Sequence, residues 1–438
     1  MTAPPENEGG DEGLARLPLT TEFGWPWTIA FAVATFFVLV FGVGLALPAW
    51  YGVGVWGINV PYVWGFDLVN YVWWIGIANG TSFLAAILAI RRHELRTAVN
   101  RFAEGLALFA VICAAIFPVV HLGRPWLFYW MIPYPATFEV WPQFRSPLTW
   151  DFWGIMAHLI VTGLLWYIGL IPDLASLRDR SRNPRVQKLF GVFALGWRGA
   201  GQHWVYHRTA YGLVAGIVIA MVVVIQTTVS FEFAATLVPD WHKTRLPLHF
   251  IVTGLASGLA IVLATAVLLR RLHGLETYIT RVSIDLMGIL LAANGLAIAL
   301  VLLEEYVVLA LSGPAVRDAM LARLVGDYGW TYWSAFLLTA VASQALWSPR
   351  VRHSLAGALI VSIAMLAGVW LDRFSIIVAG VERDYLPSMW RDYSPTWEES
   401  LILFGSLGLF AAMVLLFVRY LPVVSMFEHR HAQSEEAA

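Results

Sequence analysis

Apolar residues run through this chain in long stretches separated by short polar ones. Ten stretches, at about 27–48, 62–90, 102–122, 150–171, 208–231, 248–269, 283–311, 330–347, 355–378 and 399–420, are long enough to cross a bilayer, which takes roughly 17–25 residues. A backbone in lipid has no water to bond, so each stretch is expected to be a helix that satisfies its own N–H and C=O groups. The fold class this implies is all-α: a polytopic membrane protein of ten transmembrane helices.

Composition agrees. Hydrophobic residues make up 59% of the 438 and charged ones 13%, about half the roughly 25% of a soluble domain. The segment 1–24 is acidic, carries Pro and Gly, and reads as a disordered tail; it lacks the basic stretch of a signal peptide and is expected to be retained. With ten spans both termini share one side. Placing them inside puts 19 of the 28 Lys and Arg in inner segments and nine in outer loops, the asymmetry that marks the cytoplasmic side. A net charge of −1 and the lack of a basic patch beyond the inner loops give no sign of nucleic-acid binding. The single cysteine, Cys113, lies mid-span and reads as packing. One thiol excludes a four-thiolate iron–sulfur cluster, a C-x-x-C-H haem attachment and an internal disulfide.

The loops differ in character. The inner loop 173–207 is basic and aromatic, and its middle is expected to form a short amphipathic helix on the membrane surface. The outer loops 123–149 and 371–398 are rich in Trp, Tyr and Pro, as suits segments packed on the membrane surface or a partner.

Ionisable groups inside spans are costly and therefore candidates for function. Asp67 lies just inside span 2 next to Asn70, His121 ends span 3, and Asp151 begins span 4 with His158 seven residues on. Seven residues of helix return to within about 20° of the same face, roughly 10 Å further along. Antiparallel spans 3 and 4 bring His121 and Asp151 to one depth, where a histidine facing a carboxylate can take protons from a substrate hydroxyl. Arg124 follows His121 in HLGRPW. A second set comprises His249 at the start of span 6, Asp285, Asn294, Glu304 and Glu305 in span 7, and Asp372 with Arg373 at the end of span 9. Asn70 with Thr81, and Asp285 with Asn294 and Glu305, read as two polar series able to carry protons from the inside. Plainer readings stand beside these: Asp151 as an N-cap, His121 as an interfacial side chain, Arg124 snorkelling, His158 as a satisfied core residue, Glu304 and Glu305 as span ends. A b-type haem is the main rival chemistry, but no span carries two histidines about thirteen apart; His203 and His207, four apart, fall in the basic inner loop, leaving one haem between His121 and His249 as a remaining option.

The stretches GINVPYVWGFDLVNYVWWIG (57–76), CAAIFPVVHLGRPWLFYWMIPYP (113–135), FRSPLTWD (144–151) and WYIGLIPDLASLRDR (166–180) resemble the NrfD/polysulfide-reductase membrane subunit family. Within it they are most similar to the ActC subunit of alternative complex III. The resemblance implies two four-helix bundles plus two flanking helices: flanking helix 25–50, first bundle 51–232, second bundle 233–380, and an outer loop with the last helix over 381–421, before a cytoplasmic tail at 422–438. It implies a quinol-oxidising subunit in which His121 and Asp151 match the family's pocket histidine and carboxylate and are catalytic. Asp67 matches its span-2 acid and Arg373 is a looser match, both at the quinol. The residue reading adds Arg124, His158 and His249 around the quinol and Asn70, Asp285, Asn294, Glu304 and Glu305 on a proton path. The substrate is then menaquinol or ubiquinol, with no metal or covalent cofactor in this chain. The implied partners are an iron–sulfur subunit and multihaem cytochrome c subunits at the outer face of a bacterial cytoplasmic membrane, together with a second NrfD-like membrane subunit. The same residues also suit the membrane anchor of a polysulfide-reductase-type molybdoenzyme, or a proton-coupled transporter.

Overall fold

The structure, a computed structural model, describes residues 24–91, 94–132, 146–383 and 386–425. All but the last residue of the tail expected at 1–24, most of the C-terminal tail and part of the first aromatic loop (133–145) lie outside these residues. Among the described residues all regular structure is helical. Nine of the ten expected spans are single α-helices: α1 (Trp25–Tyr51), α2 (Gly65–Arg91), α3 (Glu94–His121), α4 (Pro147–Arg180), α5 (Gly201–Ala234), α6 (Leu246–Leu272), α7 (Arg281–Leu311), α9 (Leu355–Ile377) and α10 (Trp397–Tyr420). The eighth changes pitch: α8 (Gly329–Phe336) passes through a π-helical segment, Leu337–Val341, into a 3-10 segment, Ala342–Trp347. The α and 3-10 parts alone extend about 24 Å at 1.5 and 2.0 Å per residue. The irregular part lies against Gly295 of α7, where a Cβ would stand 1.8 Å from the Ser343 hydroxyl. Only glycine admits that approach.

Start signals explain several boundaries. Pro147 takes the first turn of α4 after Ser146, where its missing N–H costs nothing. Asp151 is therefore inside the helix and not its N-cap. Thr396 and Glu399 form a reciprocal capping box at the start of α10. Helix α5 begins and ends beyond the expected 208–231, so His203 and His207 lie in its first two turns and not in a loop. The short helix of the inner loop is Pro184–Phe193, capped by Asn183 and with no buried residue.

Two closed rings of four follow. In the first, α2 packs on α3, α3 on α4, α4 on α5 and α5 on α2; in the second, α6 packs on α7, α7 on the 337–347 segment, α8 on α9 and α9 on α6. The rings join along α2 and α6, while α1 and α10 pair beside the first ring. Small residues make the join possible: a Cβ at Gly80 would meet the Gly254 carbonyl oxygen at 2.0 Å, and one at Gly258 the Gly80 carbonyl carbon at 2.1 Å. Close backbone contact of this kind substitutes in lipid for the hydrophobic drive between helices. Helix α2 is consequently buried along most of its length, whereas α1 is exposed on most faces.

Because the spans alternate in direction, one end of the molecule collects the starts of α2, α4, α6, α8 and α10 and the ends of α3, α5, α7 and α9. That end carries Asp67, His121, Asp151 and His249.

Candidate functional site

Asp67 lies in the first turn of α2 and His121 is the last residue of α3. The His121 Nε2 stands 3.3 Å from Asp67 Oδ2, and both side chains are buried. Aromatic rings close the pair off: Trp64 stacks on the imidazole with centroids 4.9 Å apart at 16°, and Tyr71 and Trp56 meet it edge-on. Trp64 also donates its indole N–H to the His121 carbonyl at 2.9 Å, satisfying one of the orphan acceptors of the helix end. It does so from φ +58°, a left-handed conformation that bulky residues rarely adopt. Past His121 the chain turns at Gly123, φ +69°, and exposes Arg124.

Asp151 belongs to the same end. The Tyr71 hydroxyl donates to Asp151 Oδ1, and the Glu232 carboxyl, near the end of α5, lines the same cavity as Asp151. Tyr71, Asp151 and Glu232 line a cavity of about 260 Å³, walled by Trp150, Ile155 and Ile225. A cavity near 150 Å³ suffices for a benzene-sized ring, so a substituted ring fits here. His121 does not line this cavity; it stands behind the Tyr71 ring, near enough to Asp151 for their charges to interact.

The remaining candidates fall elsewhere. His158 lies deeper in α4, with Nε2 3.1 Å from the Ser82 hydroxyl, away from the cavity wall. Asn70 accepts from the Trp370 indole at 2.9 Å between the two rings. In the second ring His249 Nε2 meets Asp372 at 2.9 Å, Arg373 meets Asp372 at 3.0 Å and Thr253 at 2.5 Å, and the guanidinium lies 3.9 Å above Phe250. Glu304 pairs with Arg245 at 2.9 Å; Glu305 pairs with Arg245 and Arg323, each at 2.6 Å. Burial opposes the charge on Arg323, but Asp240 and Glu305 hold its pKa above the usual value; Lys243, bonded to Asp240, is lowered by burial to about 8. Asp285 sits at the opposite end, bound to Arg352 and 2.9 Å from His353. About 30 Å of helix separates Asp285 from Glu305, and Asn294 between them leaves its carbonyl oxygen buried without a partner. Asp285 and Glu305 are thus tied into ion pairs at opposite ends of α7 rather than linked into one series. Among the described residues no cluster of three His, Cys, Asp or Glu is placed to hold a metal.

A profile of the family described as "Polysulphide reductase, NrfD" matches residues 54–383, which takes in both rings and every residue of the cavity. The chain belongs to the NrfD family. It is 24% identical to protein NrfD of Escherichia coli over 330 residues, 73% of this chain and 95% of that protein. Similarity to a Halobacterium salinarum protein, provisionally named as a dimethyl sulfoxide reductase membrane subunit, is 23% over 453 aligned positions, covering 94% of this chain and 95% of the relative. A selenate reductase subunit of Mesobacillus selenatarsenatis is 22% identical over 242 residues, 53% of this chain and 54% of its own length.

Within this NrfD-family chain, sequence reading missed Tyr71 and Glu232. Glu232 carried the right signal, a carboxylate in an apolar stretch with no basic neighbour, but the expected end of span 5 at 231 placed it outside the membrane; α5 runs on to Ala234. Tyr71 had no signal of its own among so many aromatics. A buried cluster at the opposite end was also missed: Arg101 bonds Asp173 at 3.1 Å and the Gly169 carbonyl at 2.6 Å, and Tyr211 donates to Glu104. Arg101 counts as a loop charge in the sequence, yet α3 already encloses it.

Proposed function

We propose that this chain is the quinone-reactive membrane subunit of an oxidoreductase complex, oxidising a quinol in the first ring and passing electrons to a partner. The cavity carries the reading: a ring-sized space walled by apolar side chains and by the Tyr71, Asp151 and Glu232 oxygens. Oxidising a quinol to a quinone releases two protons and two electrons. The Asp151–Glu232 pair is the proton acceptor at the cavity wall, Tyr71 fixes the Asp151 carboxylate, and the Asp67–His121 pair behind it balances the charge that arrives. One cysteine cannot ligate an iron–sulfur cluster, so the electrons go to an iron–sulfur or haem centre on another subunit.

The named relatives support a reductase complex of the dimethyl sulfoxide or selenate type, in which the quinol feeds a reductase subunit. The second reading, a subunit of alternative complex III delivering electrons to c-type haem, rests on the HLGRPW and FRSPLTWD blocks. The test is to purify the native complex from detergent, add a short-chain quinol, and follow quinol oxidation with an acceptor. Reduction of c-type haem in the complex selects alternative complex III; quinol oxidation dependent on an oxyanion or sulfoxide acceptor selects the reductase. No quinol oxidation with any acceptor rejects both.

A further inference from the structure

Beyond the cavity, a buried carboxyl that the reaction has not used stands on the far side of the Asp67–His121 pair. Glu399 lies in the first turn of α10 and is fully buried. Its Oε1 accepts from the Tyr393 hydroxyl, and that hydroxyl accepts from the Phe66 backbone N–H at 2.8 Å, one residue before Asp67. Glu399 and Asp67 are close enough for their charges to interact, as are Tyr393 and Asp67. The Asp67–His121 pair is enclosed, with His121 Nε2 3.3 Å from Asp67 Oδ2 and both side chains buried. Glu399 Oε2 takes the Thr396 N–H at 2.8 Å, and Thr396 borders the exposed residues Ser394 and Pro395. The titratable groups that lie between the cavity and this turn are therefore Asp151, His121, Asp67, Tyr393 and Glu399.

We propose that Glu399, with Tyr393, is the exit station for protons released in the cavity. A proton leaving the substrate hydroxyl for the Asp151–Glu232 pair is passed to His121 and Asp67. It crosses to Glu399 through the Tyr393 hydroxyl and reaches water at the Tyr393–Thr396 turn. No bond other than O–H and N–H changes, and the electron pair leaves separately to the partner's redox centre. Glu399 is a positioning and relay residue, since it touches no substrate. The proposal rests on the quinol reading above.

The test uses the intact purified complex and a short-chain quinol. The ionisable groups facing Glu399 are Tyr393 from the preceding loop and Asp67 from α2. Glu399→Gln keeps the capping box, which accepts Gln as well as Glu, so a residue that merely caps α10 leaves kinetics unchanged. As a relay, its loss is expected to lower kcat by about tenfold with KM unchanged, to shift the pH–rate profile and to enlarge the solvent isotope effect; removing a direct base costs about 10²–10⁴. Tyr393→Phe, which leaves Glu399 and the cap in place, is expected to act in the same direction and carries the test if Glu399→Gln fails to assemble. Wild-type kcat, pH profile and isotope effect in an assembled variant overturn the proposal while leaving quinol oxidation standing. An inactive wild-type complex removes the quinol reading and this proposal with it.

Discussion

At the cavity wall the Tyr71 hydroxyl donates to Asp151, and the Glu232 carboxyl lines the same space. Replacing Asp151 by Asn or Glu232 by Gln removes the acceptor for the substrate proton but keeps shape and most hydrogen bonding. Each is expected to lower quinol oxidation by about 10²-fold or more, with the complex assembled. Turnover near wild type in both variants removes the pair from the chemistry. The Asp67–His121 pair predicts a stability effect as well. Cutting His121 back to Ala leaves the Asp67 carboxyl buried near Trp64, Trp56 and Tyr71 without its partner, at a cost of about 1–3 kcal/mol for a buried polar group left unpaired. His121→Ala is expected to lower the unfolding temperature in detergent, and the double variant with Asp67→Asn to recover part of the loss. A double variant no more stable than His121→Ala shows that the two side chains are not energetically paired.

Among the elements, the α2–α6 seam is the contact on which the two rings depend. At Gly258 an added Cβ meets the Gly80 carbonyl carbon at 2.1 Å, and backbone cannot swing aside as a side chain does. Gly258→Ala is expected to destabilise by about 1–3 kcal/mol, read as a fall in unfolding temperature, and to disturb Gln226, which bonds the Phe250 carbonyl at 2.8 Å beside the seam. Gly216→Ala on α5, with nothing within 4 Å of the new Cβ, is the control and is expected to be neutral or slightly stabilising. Equal behaviour of the two variants shows that the seam tolerates a wider spacing.

For the molecule as a whole, the distribution of Lys and Arg predicts that both termini face the cytoplasm. Reporter fusions at the two ends that fluoresce or are active only in the cytoplasm check this; opposite results at the two ends are incompatible with ten crossings. Purified without partners, the chain is expected to show no visible absorption band, because one cysteine and unpaired histidine spacings leave little to ligate a chromophore. A stoichiometric Soret band in the chain alone supports the haem reading.

The sequence determined the class, the spans and much of the location of the chemistry. Lipid forces every apolar stretch of sufficient length into a helix, and alternating direction then sends Asp67, His121, Asp151 and His249 to one end whatever the packing. Only the tertiary structure decided which of these meet. His249 and Arg373 pair with Asp372 in the second ring, whereas Tyr71, unmarked in the chain, and Glu232, one residue past the expected span, complete the cavity with Asp151. The reason is geometric: period and polarity fix the depth of a side chain in the membrane. Which neighbour it faces depends on helix rotation and on approach distances, set here by glycines such as Gly80, Gly258 and Gly295 against particular atoms of other helices. The span boundary at Glu232 shows the same limit from the other side, since an apolar run ends where composition changes, but a helix ends where its hydrogen bonds stop.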